Sequence, residues 1–153
     1  MKCTLNHYHV SAPDKFELAS WYQQNFGFEI VTDIEALGEK NGPILISADG
    51  GRSGISIFSK GDRDRSYALP GVPAFEVAPD DFVQLYSERL KVSPDLVVYD
   101  HLVSLSIYVI DPVGTKIEFV CNDHQSLRPR LSSLKIPVKT MNPSNDSHYR
   151  EMK

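Results

Sequence analysis

Asp100-His101-Leu102-Val103-Ser104-Leu105-Ser106-Ile107-Tyr108-Val109-Ile110-Asp111-Pro112-Val113-Gly114-Thr115-Lys116-Ile117-Glu118-Phe119 reads as two strands joined by a tight turn. Residues 103–110 are rich in β-branched side chains, Asp111-Pro112-Val113-Gly114 has proline at its second and glycine at its fourth place, and residues 115–120 are apolar again. Strand alternation puts Ser106 and Tyr108 opposite Ile107 and Val109, and Lys116 and Glu118 opposite Ile117 and Phe119. A carboxylate, a phenol and the imidazole of His101 are thereby expected on one face of a hairpin.

Working outward, the hairpin closes a unit that occurs twice. Ala78-Pro79-Asp80 stands between a strand at 72–77 and an amphipathic helix at about 81–90 that carries Phe82, Leu85, Tyr86 and Leu90. Ala12-Pro13-Asp14 stands likewise between a strand at 4–12 and a helix bearing Leu18, Trp21, Tyr22 and Phe26. Asp14 is placed to cap that first helix, with Glu17 three residues on, and Gly27 to end it. Each helix precedes three strand candidates: 28–33, 43–47 and 54–59 in the first half, 96–99, 103–110 and 115–120 in the second. The expected fold is α+β, with two paired βαβββ modules, at about 3–60 and 71–121, forming a cleft between curved mixed sheets. The mixed-charge run Lys60–Arg65 reads as a connector between them. The expected domain spans 1–123.

Composition sets the broad class. With 153 residues, 41% hydrophobic and 24% charged, the chain is ordinary for one globular domain. No apolar run reaches membrane-spanning length and no secretory leader is read, so a cytoplasmic protein without a membrane partner is expected. The net charge of −4 is uneven. Residues 124–153 hold six Lys or Arg against two Asp or Glu, a net +4, while the remainder holds ten against eighteen, a net −8. An acidic body argues against nucleic acid as the partner. The basic segment carries three prolines, with Pro129 interrupting the helical spacing of Leu127, Leu131 and Leu134, and reads as an extended arm, ordered only if it lies on the core or on a partner subunit. Cys3 and Cys121 belong to no Cys-x-x-Cys pair and read as free thiols.

The doubled βαβββ order, His7 followed seven residues later by Asp14, Gly27-Phe28 after the first helix, and the closing Asp111-Pro112-x-Gly114-x-x-x-Glu118 together resemble the vicinal oxygen chelate superfamily. That group holds glyoxalase I, extradiol dioxygenases, and the bleomycin and fosfomycin resistance proteins. Asp100-His101-x-Val103-Ser104-x-Ser106-Ile107-Tyr108 is most similar to single-module relatives of catechol dioxygenases. The resemblance covers about residues 3–121. It implies a divalent metal (Fe, Mn, Zn, Ni or Co) held by His7 and Glu118, with His9 a further candidate on the face of His7. It also implies His101 as acid or base, and Tyr108 as a hydrogen-bond donor to substrate. The second-half histidine of the family pattern is replaced, by Val72 on face parity or by Pro73 on the Ala-Pro-Asp alignment, so the ligand set is incomplete. Val72, Ala74 and Ser106 are the expected substrate contacts.

Two functions follow from the resemblance. One is a metal-assisted enzyme, dioxygenase or lyase, acting on a compact substrate with neighbouring oxygens. The other is a metal-free protein of the bleomycin-resistance type, favoured by the drier wall that a valine gives a cleft. Simpler alternatives stand beside each residue: a hydrogen-bonded core histidine for His7, a Glu118–Lys116 surface pair, a His101–Asp100 surface pair and a half-buried strand tyrosine. An interaction module docking through the basic arm is a third reading. A homodimer is expected in each case, with the aromatic face of the first helix as contact area.

Overall fold

The computed structural model describes residues 6–34, 36–38, 42–59 and 72–140. These residues form an α+β protein with two mixed sheets, and the backbone divides into two compact units. The first unit holds β1 (His7–Ala12), α1 (Lys15–Phe26), β2 (Glu29–Asp33), β3 (Ile44–Ser47) and β4 (Gly54–Ser59). The second holds β5 (Ala74–Glu76), α2 (Pro79–Leu90), β6 (Val98–Asp100), β7 (Leu105–Ile110), β8 (Lys116–Cys121), α3 (His124–Ser133) and β9 (Val138–Thr140).

The two units repeat one topology. The first sheet runs β1-β4-β3-β2, the second β5-β8-β7-β6 with β9 added at the edge. In each, the strand before the helix pairs in parallel with the last strand of the βαβββ order, and the remaining pairings within that order are antiparallel, while β9 joins β6 in parallel. The triplet echo in the sequence thus corresponds to a structural repeat.

Local chemistry accounts for the helices. Asp14 caps α1, its Oδ1 accepting from Phe16 N at 2.8 Å and Glu17 N at 3.1 Å. Gly27 ends α1 at φ 68°, the left-handed conformation that glycine adopts without steric cost. Leu18, Ala19 and Tyr22 are buried, and Trp21 meets Tyr22 and Phe26 edge-on at 5.1 and 5.2 Å. Much of the aromatic face of α1 is therefore used inside its own unit. The second helix starts two residues earlier than the pattern suggested, because Pro79 fits the first helical position and Asp80 and Asp81 complement the helix N-terminus.

The basic segment is ordered against the second unit, and differs from expectation in being helical rather than extended over much of its length. Residues 124–133 form a helix with Pro129 inside it, and 138–140 form a strand parallel to β6, where an extended arm was expected. Leu127 and Leu131 are fully buried, and the Asp123 side chain caps the helix through Ser126 N. Burying two leucines contributes roughly 1.5–3 kcal/mol each. That offsets the cost of about 3 kcal/mol for an interior proline. Leu134, grouped with them by spacing, is 55% exposed. The Lys60–Arg65 connector lies outside the described residues.

Candidate functional site

The face of the second sheet away from Ile107, Ile117 and Phe119 carries the polar chemistry. Tyr108 stands opposite Glu118, and Ala74 stands opposite Glu118 on its other side, so Ala74, Glu118 and Tyr108 form one cross-strand row. Ser106 lies two residues before Tyr108, on the same face and opposite Tyr99. The Ser106 hydroxyl donates to Glu118 Oε1 at 2.5 Å. Tyr108 Oη lies 3.3 Å from His101 Nε2, a hydrogen bond whose direction follows the imidazole tautomer. Lys116 places its ammonium 4.5 Å from the centre of the Tyr108 ring, and Tyr99 packs edge-on to that ring at 5.6 Å. Glu118 is thus engaged by Ser106, and Lys116 by the Tyr108 ring.

His101 sits in a turn with defined anchors. Strand β7 begins at Leu105, two residues later than the β-branched run suggested. The Asp100 carboxylate accepts from Leu102 N at 2.7 Å and His101 N donates to Ser104 O at 3.0 Å, and both bonds curl the chain before the strand. Arg128 of α3 grips the same carboxylate with two nitrogens, Nε to Oδ2 at 2.9 Å and Nη2 to Oδ1 at 2.7 Å. The hydrogen bond from Arg128 holds the Asp100 carboxyl below its ordinary pKa, against the opposing effect of burial. The expected His101–Asp100 pair is therefore replaced by an Asp100–Arg128 pair that fixes the backbone on either side of His101.

In the first unit, His7 and His9 share a face of β1. One residue of strand, Tyr8, lies between them, yet Nε2 of one is 3.1 Å from Nε2 of the other and the rings stack at 5.0 Å. His7 Nδ1 donates to Asn6 Oδ1 at 2.6 Å, which in the neutral ring leaves its Nε2 as acceptor. His9 also meets Phe58 edge-on. Strand β4, of sequence Gly-Ile-Ser-Ile-Phe-Ser, brings no carboxylate beside this pair. On donor chemistry, the first unit offers an imidazole pair and the second a carboxylate already bonded to Ser106. Among the described residues, no group of three or more His, Cys, Asp or Glu is gathered as a metal-holding set.

The doubled βαβββ order agrees with the family comparison. Residues 4–119 match the model of the Glyoxalase/Bleomycin resistance protein/Dioxygenase superfamily. The chain belongs to that superfamily. No curated protein matches the chain. Solved structures resemble this superfamily member along most of its length. A glyoxalase family protein from Bacillus anthracis is 26% identical, with a TM-score of 0.60 over 80% of this chain and 97% of its own. The oxidase ChaP-H2 is 22% identical, with a TM-score of 0.56 over 79% and 94%. Lactoylglutathione lyase from Agrobacterium tumefaciens, at 18% identity and a TM-score of 0.51 over 80% and 96%, shares the fold.

Val72 is 36% exposed and precedes β5, which is limited to Ala74–Glu76. Cys121 is a free buried thiol whose pKa is raised by burial, and Cys3 lies outside the described residues. Arg128 and the stacking of Lys116 on Tyr108 were missed by sequence reasoning. Lys116 lies on the Glu118 face by alternation, so its reach toward the tyrosine was available from strand geometry. Arg128 was hidden by reading its helix as an arm. Among the described residues, no helix is long and apolar enough to cross a membrane.

Proposed function

We propose that the chain acts on a compact small molecule with neighbouring oxygens, such as a catechol-like diol or an α-hydroxy carbonyl, using the polar face of its second sheet. The observation that carries this reading is the Tyr108–His101 contact at 3.3 Å, beside Glu118 in the same cross-strand row. A substrate hydroxyl that enters between the two groups replaces their mutual bond and gives its proton to His101 Nε2, which returns it on release. The Tyr108 hydroxyl, freed from the imidazole, donates to the oxygen that gains charge. Glu118 accepts a hydrogen bond from the neighbouring hydroxyl, with Ser106 holding the carboxylate in place and Ala74 leaving room beside it. Lys116, over the tyrosine ring, favours negative charge at this face.

In the metal-assisted form of the reading, His7, His9 and Glu118 are the ligands to test, and a divalent ion would polarise the chelated oxygens. Purification without added metal or chelator, then elemental analysis, is expected to find near-stoichiometric Fe, Mn, Zn, Ni or Co. Absence of metal together with no thermal shift on metal addition removes this form. The acid/base reading is tested separately with 4-nitrocatechol, whose absorbance reports loss of its hydroxyl proton on binding, and with calorimetry. His101→Ala and Tyr108→Phe are each expected to weaken that deprotonation about 10-fold or more at a pH below the free ligand's own ionisation. A wild-type absorbance change in both variants overturns it.

A second reading is a metal-free binding protein, and Val72 in place of the family histidine favours it. Under this reading His7→Ala and Glu118→Gln leave ligand affinity nearly unchanged. We also infer a homodimer, in keeping with the commonest symmetry of soluble oligomers. Light scattering on the full chain checks it, and a monomeric mass overturns it.

A further inference from the structure

Helix α3 lies beyond the family-matched residues 4–119, yet it reaches the turn that carries His101. We propose that Arg128 is a positioning residue for the His101–Tyr108 pair, holding residues 100–104 in the backbone conformation that brings His101 Nε2 to the Tyr108 hydroxyl. The inference rests on the reading that this pair performs the chemistry, and adds to it the element that sets the pair's geometry.

Three observations carry it. First, Leu102 has φ 73°, a left-handed conformation that side chains other than glycine, asparagine and aspartate seldom adopt, so contacts outside the residue must hold it. Second, burial does not supply those contacts: Leu102 is 61% and Val103 is 72% exposed. Third, polar contacts do. Arg128 Nη2 donates both to Asp100 Oδ1 and, at 2.9 Å, to Leu102 O, while Asp100 Oδ1 accepts from Leu102 N. The guanidinium thus ties together the residues before and after His101. A planar fork makes these bonds simultaneously, which a lysine ammonium cannot reproduce.

The fork is itself well placed. Leu127 and Leu131, fully buried on α3, fix the helix against the second unit, and β9 pairs with β6 through Asp100 and Thr140. Both flanking anchors of the segment therefore converge on the strand that ends at Asp100. The pair is half-buried, with Arg128 37% and Asp100 14% exposed, so removing the guanidinium leaves a partly desolvated carboxylate unpaired and lowers stability in either case. Only a positioning role predicts, in addition, a change in how His101 responds to Tyr108.

The test uses the full chain and NMR of the His101 ring carbon and proton. In the wild-type protein, Tyr108→Phe removes the hydroxyl and shifts the His101 signals. In Arg128→Gln the same substitution is expected to shift them at least threefold less, and Arg128→Lys is expected not to restore the response. An undiminished response in Arg128→Gln overturns the proposal. Should Arg128→Gln fail to fold, Asp100→Asn is read the same way, since it keeps the side-chain shape and an acceptor for Leu102 N while losing the bidentate charge pair. A 4-nitrocatechol titration of His101→Ala separates the two ideas. Binding and deprotonation of 4-nitrocatechol indifferent to His101→Ala sink the functional reading and leave the positioning result standing. Strong dependence on His101 with an intact NMR response in Arg128→Gln does the reverse.

Discussion

Gly54 shows how a single residue serves the architecture. It stands opposite His7 across the β1–β4 ladder, and a Cβ there would lie 2.3 Å from the carbonyl oxygen of Ile46. Because the obstacle is backbone, no rotamer change relieves it. Gly54→Ala is expected to cost about 1–3 kcal/mol, the usual range for overpacking, read as a fall in the urea midpoint without a change in slope. Asp49 offers a second residue-scale prediction. The Ser53 N–H, then the Ser47 and Ser53 hydroxyls, hold its carboxyl at a pKa of about 2. A folded value below the unfolded one gives stability that is fully present above about pH 4 and lost as pH falls toward 2. The wild-type melting temperature should therefore drop toward that of Asp49→Asn across this window, and two parallel pH profiles would refute the assignment.

The elements of the two repeats were legible because each local signal agreed with the tertiary pattern. Asp14, Gly27 and the alternation in β7 and β8 act through neighbours one to four residues away. The Tyr108–Glu118–Ser106 face followed from the same alternation. What was not legible depended on distant contacts. The strand expected at 72–77 shrinks to Ala74–Glu76, and β7 starts late because Asp100 and Ser104 take up backbone bonds before it. Pro129 was given more weight than Leu127 and Leu131, although the cavity that receives those leucines is visible only in the folded unit. The proline still breaks a rule at the level of the helix, since it cannot donate to the carbonyl of Gln125. Pro129→Ala should restore that donor and raise the stability of the protein by roughly 1–3 kcal/mol, a part of the cost of an interior proline, measured by chemical denaturation. A neutral or negative effect would mean that the proline ring makes packing contacts worth as much as the bond.

At the scale of the whole molecule, the question is whether residues beyond the superfamily match are an accessory or a part of the fold. Arm-like residues could be removed at little cost, whereas α3 and β9 contribute two fully buried leucines, a parallel strand and the partner of Asp100. Losing Leu127 and Leu131 alone forgoes roughly 3–6 kcal/mol of burial. That is a large share of the 5–15 kcal/mol by which domains are usually stable. Removing α3 also exposes the apolar surface it covers on the second unit. A chain ending at Asn122 is therefore expected to lose cooperative unfolding or to aggregate, even though it retains every residue matched by the family model. A point variant controls for the severity of truncation: Leu131→Ala in the full chain should cost about 2–5 kcal/mol, as large-to-small core changes do. If both proteins unfold with the wild-type midpoint and slope, the segment is an accessory after all. If both are destabilised, the structural unit in this chain extends past the superfamily pattern, and the same helix that completes its core also brings Arg128 to Asp100.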